Sequence, residues 1–265
     1  GVFSENMGPE QYITLASAIG EEIEKGAEGI VIGHGTDTMH HTGAVLSFMV
    51  QNSPVPIVLV GSQRSSDRPS SDAAINLMNA VRTAAECPIA EVMLCMFGPT
   101  SDQFDLLHRG TRCRKMHSSY RSTFRSIGDL PLATVCHSPD ECGDHFRILN
   151  PDYMPRDPNR KPIITPTFES KVTIQYYYPG FDPDIIDSLI EKGYRGLVIA
   201  GTGLGHVNKP LYPALRKAVE SGMTVVMTVQ TLWGYAQMYV YETGRELLQA
   251  GVLPLDNMLP ETAYM

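Results

Sequence analysis

Apolar residues in the first hundred positions follow two alternating patterns. Short continuous apolar runs, typical of buried strands, lie at residues 29–33, 57–60 and 92–97. Segments in which apolar residues recur at helical spacing lie around these runs, at residues 9–25, 39–50 and 73–84. A polar stretch over residues 65–72 offers Ser or Asp to cap the helix that begins near Ala73. This alternation of strand and helix predicts an α/β fold with a parallel sheet.

The pattern breaks down between Gly128 and about Lys171, in a stretch rich in Pro, Asp and His that is typical of an interdomain connection. Beyond it, strand-like runs resume at residues 172–178, 196–199 and 224–228, and helical spacing resumes at residues 184–192 and 210–221. We therefore predict a larger N-terminal parallel-sheet, Rossmann-like domain over residues 1–145. A linker over 146–171 and a smaller C-terminal α/β domain over 172–265 follow it.

Each early apolar run is followed by glycine and small polar residues. Gly33-His34-Gly35-Thr36-Asp37-Thr38-Met39 follows the first run, Gly61-Ser62-Gln63-Arg64 the second and Gly98-Pro99-Thr100-Ser101-Asp102 the third. Because the carboxyl ends of parallel strands meet at one edge of a sheet, these segments predict a shared pocket. The alternative for Thr36 and Asp37 is that they cap the helix that follows.

The charge and composition of the chain argue against several classes of protein. A formal net charge of -8 and a pI near 5.5 argue against a free-standing nucleic-acid binder. No apolar run approaches the ~20 residues that cross a bilayer, and the N-terminus has no signal-peptide pattern, so we expect a cytoplasmic protein without membrane contact. An odd number of cysteines without framework spacing predicts reduced thiols at Cys87, Cys95, Cys113, Cys136 and Cys142.

Two segments imitate cofactor motifs. Cys136, His137, Cys142 and His145 match no standard zinc spacing, so we predict no metal site. The loop Gly201-Thr202-Gly203-Leu204-Gly205 lacks the spacing of a dinucleotide fingerprint and is explained as well by a turn from strand to helix. We expect no cofactor in this chain.

A lysine completes a possible catalytic set. Lys115 lies in a basic run from Arg109 to Arg125, and a lysine that loses its proton can serve as the base for a hydroxyl nucleophile while a carboxylate orients it. The alternative is a solvated charge in a basic loop. The polar residues expected near the pocket edge are Ser4, Glu5, Thr36, Asp37, Ser62 and Lys115.

Several of these segments resemble the L-asparaginase/glutaminase family. The resemblance is carried by residues 33–39, 4–7, 60–64, by Arg114-Lys115 with Ser119 and Phe124, and by residues 196–205. Longer strings are similar to one branch, the glutaminase subunits of archaeal glutamyl-tRNA(Gln) amidotransferases; they lie at residues 67–74, 178–183 and 259–264. The resemblance implies an asparaginase-like version of the predicted fold.

The family likeness implies a role for each candidate residue. Thr36 would supply a hydroxyl for attack or water activation, Lys115 would be its base, and Asp37 would hold the lysine and the substrate's α-ammonium. Ser4 would bind the α-carboxylate and Glu5 the α-ammonium. Ser62 would contact the amide oxygen.

The same likeness implies glutamine as substrate and a transferase subunit as partner, which uses the released ammonia to convert Glu-tRNA(Gln) to Gln-tRNA(Gln). ATP and Mg are expected on that partner, which would also hold most of the tRNA. A homodimer within a hetero-oligomer is expected. For the basic run, positioning Lys115 and balancing carboxylates is favoured over direct tRNA contact, because the net charge is acidic.

The sequence departs from the family pattern at two points. The first threonine motif, which usually supplies the primary nucleophile, is absent ahead of Ser4, so we expect the 265-residue chain alone to have no glutaminase activity. His206 stands where the family often has an Asn that reaches a neighbouring subunit, so its contribution to a site stays open. A free-standing asparaginase and a non-catalytic scaffold for a partner or tRNA are the alternative functions.

Overall fold

Strands and helices alternate along the chain much as the apolar pattern does. The computed structural model describes residues 1–138 and 144–265. Its strands are, in chain order, β1 (Ile30–Gly33), β2 (Val50–Gln51), β3 (Ile57–Val60), β4 (Val92–Phe97), β5 (Asp105–Arg109), β6 (Cys113–Lys115), β7 (Phe124–Ser126), β8 (Ala133–Val135), β9 (Phe146–Ile148), β10 (Ile163–Ile164), β11 (Val172–Tyr176), β12 (Gly196–Gly201), β13 (Thr224–Val229) and β14 (Leu253–Pro254). Its helices are α1 (Pro9–Glu24), α2 (Met39–Met49), α3 (Ala73–Glu86), α4 (Asp184–Glu191), α5 (Tyr212–Glu220), α6 (Glu242–Gln249) and α7 (Pro260–Tyr264), with short 3₁₀ turns at Ser4–Asn6, Gly110–Arg112 and Lys209–Leu211.

The three early apolar runs form neighbouring parallel strands, β1, β3 and β4. Every residue of β3 and β4 is buried, which suits strands that are covered on both faces. Gly33 pairs with Val60, and Val60 pairs with Cys95. The predicted common edge at the carboxyl ends of these strands is therefore present.

The second half of the same sheet is antiparallel. The strand order is β1-β3-β4-β5-β8-β9, and β5, β8 and β9 each run antiparallel to the preceding neighbour. The predicted parallel sheet therefore describes β1, β3 and β4 only. Strands of three residues such as β8 and β9 are too short to show a period in the sequence.

Two units divide the chain at residues 168 and 169. Residues 146–168, predicted as part of a linker, belong to the first unit, because β9 pairs with β8 and β10 pairs with β2. Arg156 anchors the same stretch by donating from Nε to the carbonyl of Cys87 at 2.5 Å and from Nη1 to the carbonyl of Glu28 at 2.7 Å. A proline-rich stretch can be held by such contacts without showing any period in the sequence.

The second unit has its own parallel sheet, in the order β11-β12-β13-β14. Its core includes Ile186 of α4, Leu197 and Ile199 of β12 and Leu215 of α5. These are the helix and strand segments that the apolar spacing predicts. The unit is thus an α/β domain with a hydrophobic core of its own.

The glycine loop after β12 is a tight turn. Thr202 and His206 form an isolated antiparallel bridge, with each backbone amide donating to the other's carbonyl at 2.9 Å. Gly203 and Gly205 have φ of 52° and 97°, in the left-handed region that glycine adopts without strain. The backbone conformation of the turn therefore explains why glycine stands at positions 203 and 205.

The cysteines are not all alike. Cys87, Cys95 and Cys113 are free and buried, whereas Cys136 is disulfide-bonded, so the predicted reduced thiol is wrong at Cys136. Cys142 lies outside the described residues. Within residues 1–138 and 144–265, no helix is long and apolar enough to cross a membrane.

Candidate active site

The segment between β1 and α2 carries Thr36 and Asp37, two of the polar residues that the sequence predicts at the pocket edge. The N-cap position of α2 is Thr38, and its hydroxyl donates to the carbonyl of Ser4 at 2.6 Å. Thr36 and Asp37 precede this position and point to a lysine instead. The alternative that these two residues cap the helix is therefore wrong.

Lys115 joins the two side chains. Its Nζ donates to Thr36 Oγ1 at 3.0 Å and to Asp37 Oδ1 at 2.6 Å. The lysine side chain is only 9% exposed, whereas that of Asp37 is 67% exposed. An ammonium withdrawn from water thus holds a hydroxyl on one side and a carboxylate on the other, across 78 residues of sequence.

Lys115 is placed by the hairpin of β6 and β7, in which it pairs with the buried Phe124. The 3₁₀ turn before β6 lies directly on α2. A Cβ on Gly110 would come within 2.5 Å of the carbonyl oxygen of Gly43 and 2.7 Å of Ser47 Oγ. Only glycine permits this close approach, which brings the lysine strand to the helix that starts beside Asp37.

Ser4 lies next to the same segment. It is buried in its 3₁₀ turn, and a Cβ on Gly35 would come within 2.9 Å of Ser4 Oγ. Glu5, in the same turn, is exposed. The structure thus brings the turn of Ser4 and Glu5 beside Gly35, as the shared pocket requires.

Ser62 follows β3 at the same edge of the sheet and is half-buried. A Cβ on the preceding Gly61 would lie 3.2 Å from Thr36 Cγ2 and 2.4 Å from the carbonyl oxygen of His34. The loop that carries Ser62 therefore packs directly on the loop that carries Thr36.

His34 makes two contacts that the sequence does not predict. Its Nδ1 lies 2.6 Å from the carbonyl oxygen of Gly35, and its Nε2 lies 2.8 Å from Thr42 Oγ1. Burial lowers the pKa of His34, which favours the neutral ring. A neutral ring can donate to Gly35 from Nδ1 and accept the Thr42 hydroxyl at Nε2, which fixes the loop to α2. The feature of the sequence that could have indicated these contacts is the position of His34 between two glycines.

His40 is a buried histidine in the cavity of Asp37 and Lys115. It lines, with Asp37 and Lys115, an open cavity of about 510 Å³. Burial, and next the neighbouring positive groups of His41, Arg114 and Lys115, lower the pKa of His40 to about 3. The ring is therefore uncharged near neutral pH and adds no further positive charge beside the lysine.

Members of the basic run are paired with carboxylates. Arg109 bonds to Glu91 and Asp129, both at 2.7 Å, and Arg121 bonds to Asp102 at 2.7 Å. Arg121 also lies 4.5 Å above the ring of Phe97. These pairs support the interpretation that the run balances carboxylates around the hairpin of Lys115.

His206 lies in the turn after β12 of the second unit. Its Nδ1 is 3.4 Å from Thr243 Oγ1, and its ring meets the edge of the Tyr241 ring at 5.6 Å between centroids. Among the described groups, its buried Nε2 has no hydrogen-bond partner.

Comparison with known proteins identifies the fold that holds this site. Residues 1–142 match the family described as asparaginase, N-terminal, and residues 171–265 match the glutaminase/asparaginase C-terminal domain. The chain belongs to the asparaginase/glutaminase family. This confirms the resemblance on which the roles of Thr36, Asp37 and Lys115 depend.

Curated members of the family match the whole chain. A glutamyl-tRNA(Gln) amidotransferase subunit from Methanothermobacter thermautotrophicus is 50% identical over 264 residues, and the equivalent subunit from Pyrococcus furiosus is 48% identical over 264 residues. Each match covers 100% of this chain and 59% of the relative. The chain therefore spans about three-fifths of the length of these relatives.

Solved asparaginases share the fold. The thermostable L-asparaginase from Thermococcus kodakarensis superposes with a TM-score of 0.87 at 30% identity, over 100% of this chain and 75% of that chain. L-asparaginase I from Vibrio cholerae superposes with a TM-score of 0.84 at 31% identity, over 99% of this chain and 75% of that chain. The asparaginase-like α/β fold is thereby confirmed.

Proposed function

We propose that this chain carries part of a glutaminase site that supplies ammonia to a transferase subunit, which converts Glu-tRNA(Gln) to Gln-tRNA(Gln). The observation that carries the proposal is Lys115 Nζ placed 3.0 Å from Thr36 Oγ1 and 2.6 Å from Asp37 Oδ1. The names of the amidotransferase relatives, at 46–50% identity, support the glutamine-dependent version of the family's chemistry.

The geometry suits amide hydrolysis. In its neutral form, Lys115 takes the proton of the Thr36 hydroxyl as oxygen attacks the amide carbonyl, or as Thr36 orients a water that attacks. The amide C–N bond then breaks, and the proton passes to the departing nitrogen, which leaves as ammonia. Where the Thr36 oxygen has attacked, water then hydrolyses the resulting ester, which releases glutamate and restores the hydroxyl. Asp37 keeps the lysine beside the hydroxyl through both transfers.

Three further residues would bind the amino acid. Ser4 takes the α-carboxylate, Glu5 the α-ammonium together with Asp37, and Ser62 lies toward the amide oxygen. Pairing both charges of the substrate is necessary because an unpaired buried charge is strongly destabilising. The packing of Gly35 on Ser4 and of Gly61 on Thr36 supports this assignment by placing all three loops together.

The proposal is tested with Thr36→Val in the full-length protein, assembled with its transferase subunit. Valine keeps the shape of threonine and removes the hydroxyl. We expect Gln-tRNA(Gln) formation from glutamine to fall by about 100-fold or more, while formation from added ammonium chloride stays within about twofold of wild type. Thr224→Val, at the exposed first residue of β13, is the matched control. Retained glutamine-dependent formation in Thr36→Val would contradict the proposal.

A free-standing asparaginase is the second candidate, since two solved structures that share this fold are named L-asparaginases. It predicts ammonia release from asparagine that exceeds release from glutamine and does not change when the transferase subunit and charged tRNA are added. The amidotransferase proposal predicts preference for glutamine and a rate that rises with both additions.

A further inference from the structure

The residue directly ahead of α3, Asp72, directs its carboxylate to the loop after β3. Asp72 occupies the N-cap position, but its carboxylate makes no capping hydrogen bond, and the amide of Ala73 is taken by Ser71 Oγ at 3.2 Å instead. The Asp72 carboxylate accepts from the backbone amides of Gln63 at 3.0 Å and Arg64 at 2.9 Å. Of the Ser and Asp residues that the sequence offers as a cap, Ser71 takes the amide of Ala73, and the Asp72 carboxylate contacts the loop after β3 instead.

One turn further along α3, Asn76 completes this contact. Residues four apart share a helix face, and Asn76 Nδ2 donates to Asp72 Oδ2 at 3.0 Å and to the carbonyl of Gly61 at 2.8 Å. Both side chains are 0% exposed. The pair thus holds the backbone on both sides of Ser62, at the Gly61 carbonyl before it and at the two amides after it.

On its other side, the loop after β3 packs closely at Gly61 on the segment of His34 and Thr36. The His34 amide donates to the carbonyl of Val60 at 2.8 Å, and a Cβ on Gly61 would lie 2.4 Å from the His34 carbonyl oxygen and 3.2 Å from Thr36 Cγ2. The loop is therefore restrained by buried polar groups on one side and by its packing on the Thr36 loop on the other. In a catalytic site, a misplacement of about 1 Å can cost roughly 100-fold in rate.

We propose that Asp72 and Asn76 are positioning residues that fix the loop of Ser62 against Thr36. The inference rests on the proposed glutaminase function for its effect on catalysis, but the contact itself is independent of any activity. A buried carboxylate is costly unless its oxygens are satisfied, and here two backbone amides and the Asn76 amide satisfy them. The pair acts through the loop and not on the substrate.

Asp72→Asn tests the contact in the full-length protein. The variant keeps the shape of the side chain but turns one of the two accepting oxygens into an amide donor, which cannot pair with a backbone N–H. We expect hydrogen exchange at the amides of Gln63 and Arg64 to become about tenfold faster or more, while amides of β4 keep their protection. Asp67→Asn, an exposed residue in the same loop region, is the control and leaves both rates unchanged. Unchanged exchange at Gln63 and Arg64 in Asp72→Asn overturns the inference.

Kinetics in the full-length protein test the effect on the site. For glutamine hydrolysis we expect Asp72→Asn to lower kcat by roughly 10- to 100-fold with KM within about threefold, because the loop acts when the amide oxygen becomes charged. Faster exchange with kcat unchanged also overturns the inference. If the wild-type protein hydrolyses no glutamine, the proposed function fails, and the exchange result still decides the positioning contact.

Asn76→Ala is the second variant, for use if Asp72→Asn does not fold. It keeps the carboxylate on Gln63 and Arg64 and removes the bonds to Gly61 and Asp72. The expected result is a smaller fall in kcat, of about 3- to 10-fold, with cooperative unfolding retained. A wild-type kcat in this variant counts against the inference.

Discussion

A buried acid in the first sheet gives the clearest pH dependence at the scale of single residues. Asp105 is 0% exposed, and Cys95 Sγ donates to its Oδ2 at 3.5 Å. Burial raises the pKa of Asp105 from 3.8 to about 7. The carboxyl therefore holds its proton in the native state between these values, whereas in the unfolded state it has lost it. Stability falls as pH rises from about 4 to about 7 and levels off above that.

Asp105→Asn removes this titration and keeps the size of the side chain. We expect its free energy of unfolding, relative to wild type, to rise by roughly 2–3 kcal/mol between pH 5 and pH 8. Urea unfolding at the two pH values measures the difference. Burial lowers the pKa values of His40 and His108 to about 3. Both histidines titrate in the variant and in the wild type, so their contributions cancel in the difference in free energy of unfolding. A difference that does not change with pH would show that Asp105 is ionised throughout.

At this scale the sequence predicted three side chains that the structure joins by hydrogen bonds, but not the residues that support them. Thr36, Asp37 and Lys115 were found because polar residues after an apolar run and a family likeness point to them. Asp72 was among the Ser and Asp residues offered as a cap, since short polar residues before a helix usually cap it. The Asp72 carboxylate instead accepts from the amides of Gln63 and Arg64. These contacts depend on how α3 packs on the loop after β3, which the local sequence pattern does not show.

Close contact between elements fixes the lysine hairpin. A Cβ on Gly110 would lie 2.5 Å from the carbonyl oxygen of Gly43 in α2. We expect Gly110→Ala to lower the free energy of unfolding by about 1–3 kcal/mol, because the helix and the turn would have to separate.

Gly33→Ala is the matched control, since a Cβ there meets nothing within 4 Å. It is expected to change the free energy of unfolding by less than about 0.5 kcal/mol. Thermal or urea unfolding compares the two variants. Equal stability of both would contradict a close contact between α2 and the turn.

Elements with a strong period were predicted well, and short ones were missed. β3 and β4 match the predicted residues 57–60 and 92–97, and α1 differs by one residue from the predicted 9–25. The β6 and β7 strands that present Lys115 have three residues each and were not predicted. Strands of this length are stabilised by their partners in the sheet and carry no periodic signal of their own.

Across the whole molecule, each unit has a separate core. The second unit, residues 169–265, contains a four-stranded parallel sheet and the core of Ile186, Leu197, Ile199 and Leu215. We expect the fragment 169–265 to unfold cooperatively in urea on its own, and Leu215→Ala in it to cost about 2–5 kcal/mol. A fragment without a cooperative transition would contradict an independent core.

The boundary between the units shows why the predicted linker was misplaced. Proline and loss of period mark an irregular path along the surface, and residues 146–168 follow such a path while pairing with β8 and β2. The amino-acid composition of a segment indicates whether it forms regular secondary structure. It does not indicate on which unit the segment packs.

Ammonia release from glutamine by the full-length protein carrying Lys115→Met tests the central claim most directly. Methionine keeps much of the length of lysine and removes the group that joins Thr36 to Asp37. We predict a fall of about 100-fold or more, with Lys25→Met, at an exposed lysine paired with Glu22, within about twofold of wild type. Release at the wild-type rate in Lys115→Met would place the chemistry elsewhere in the protein.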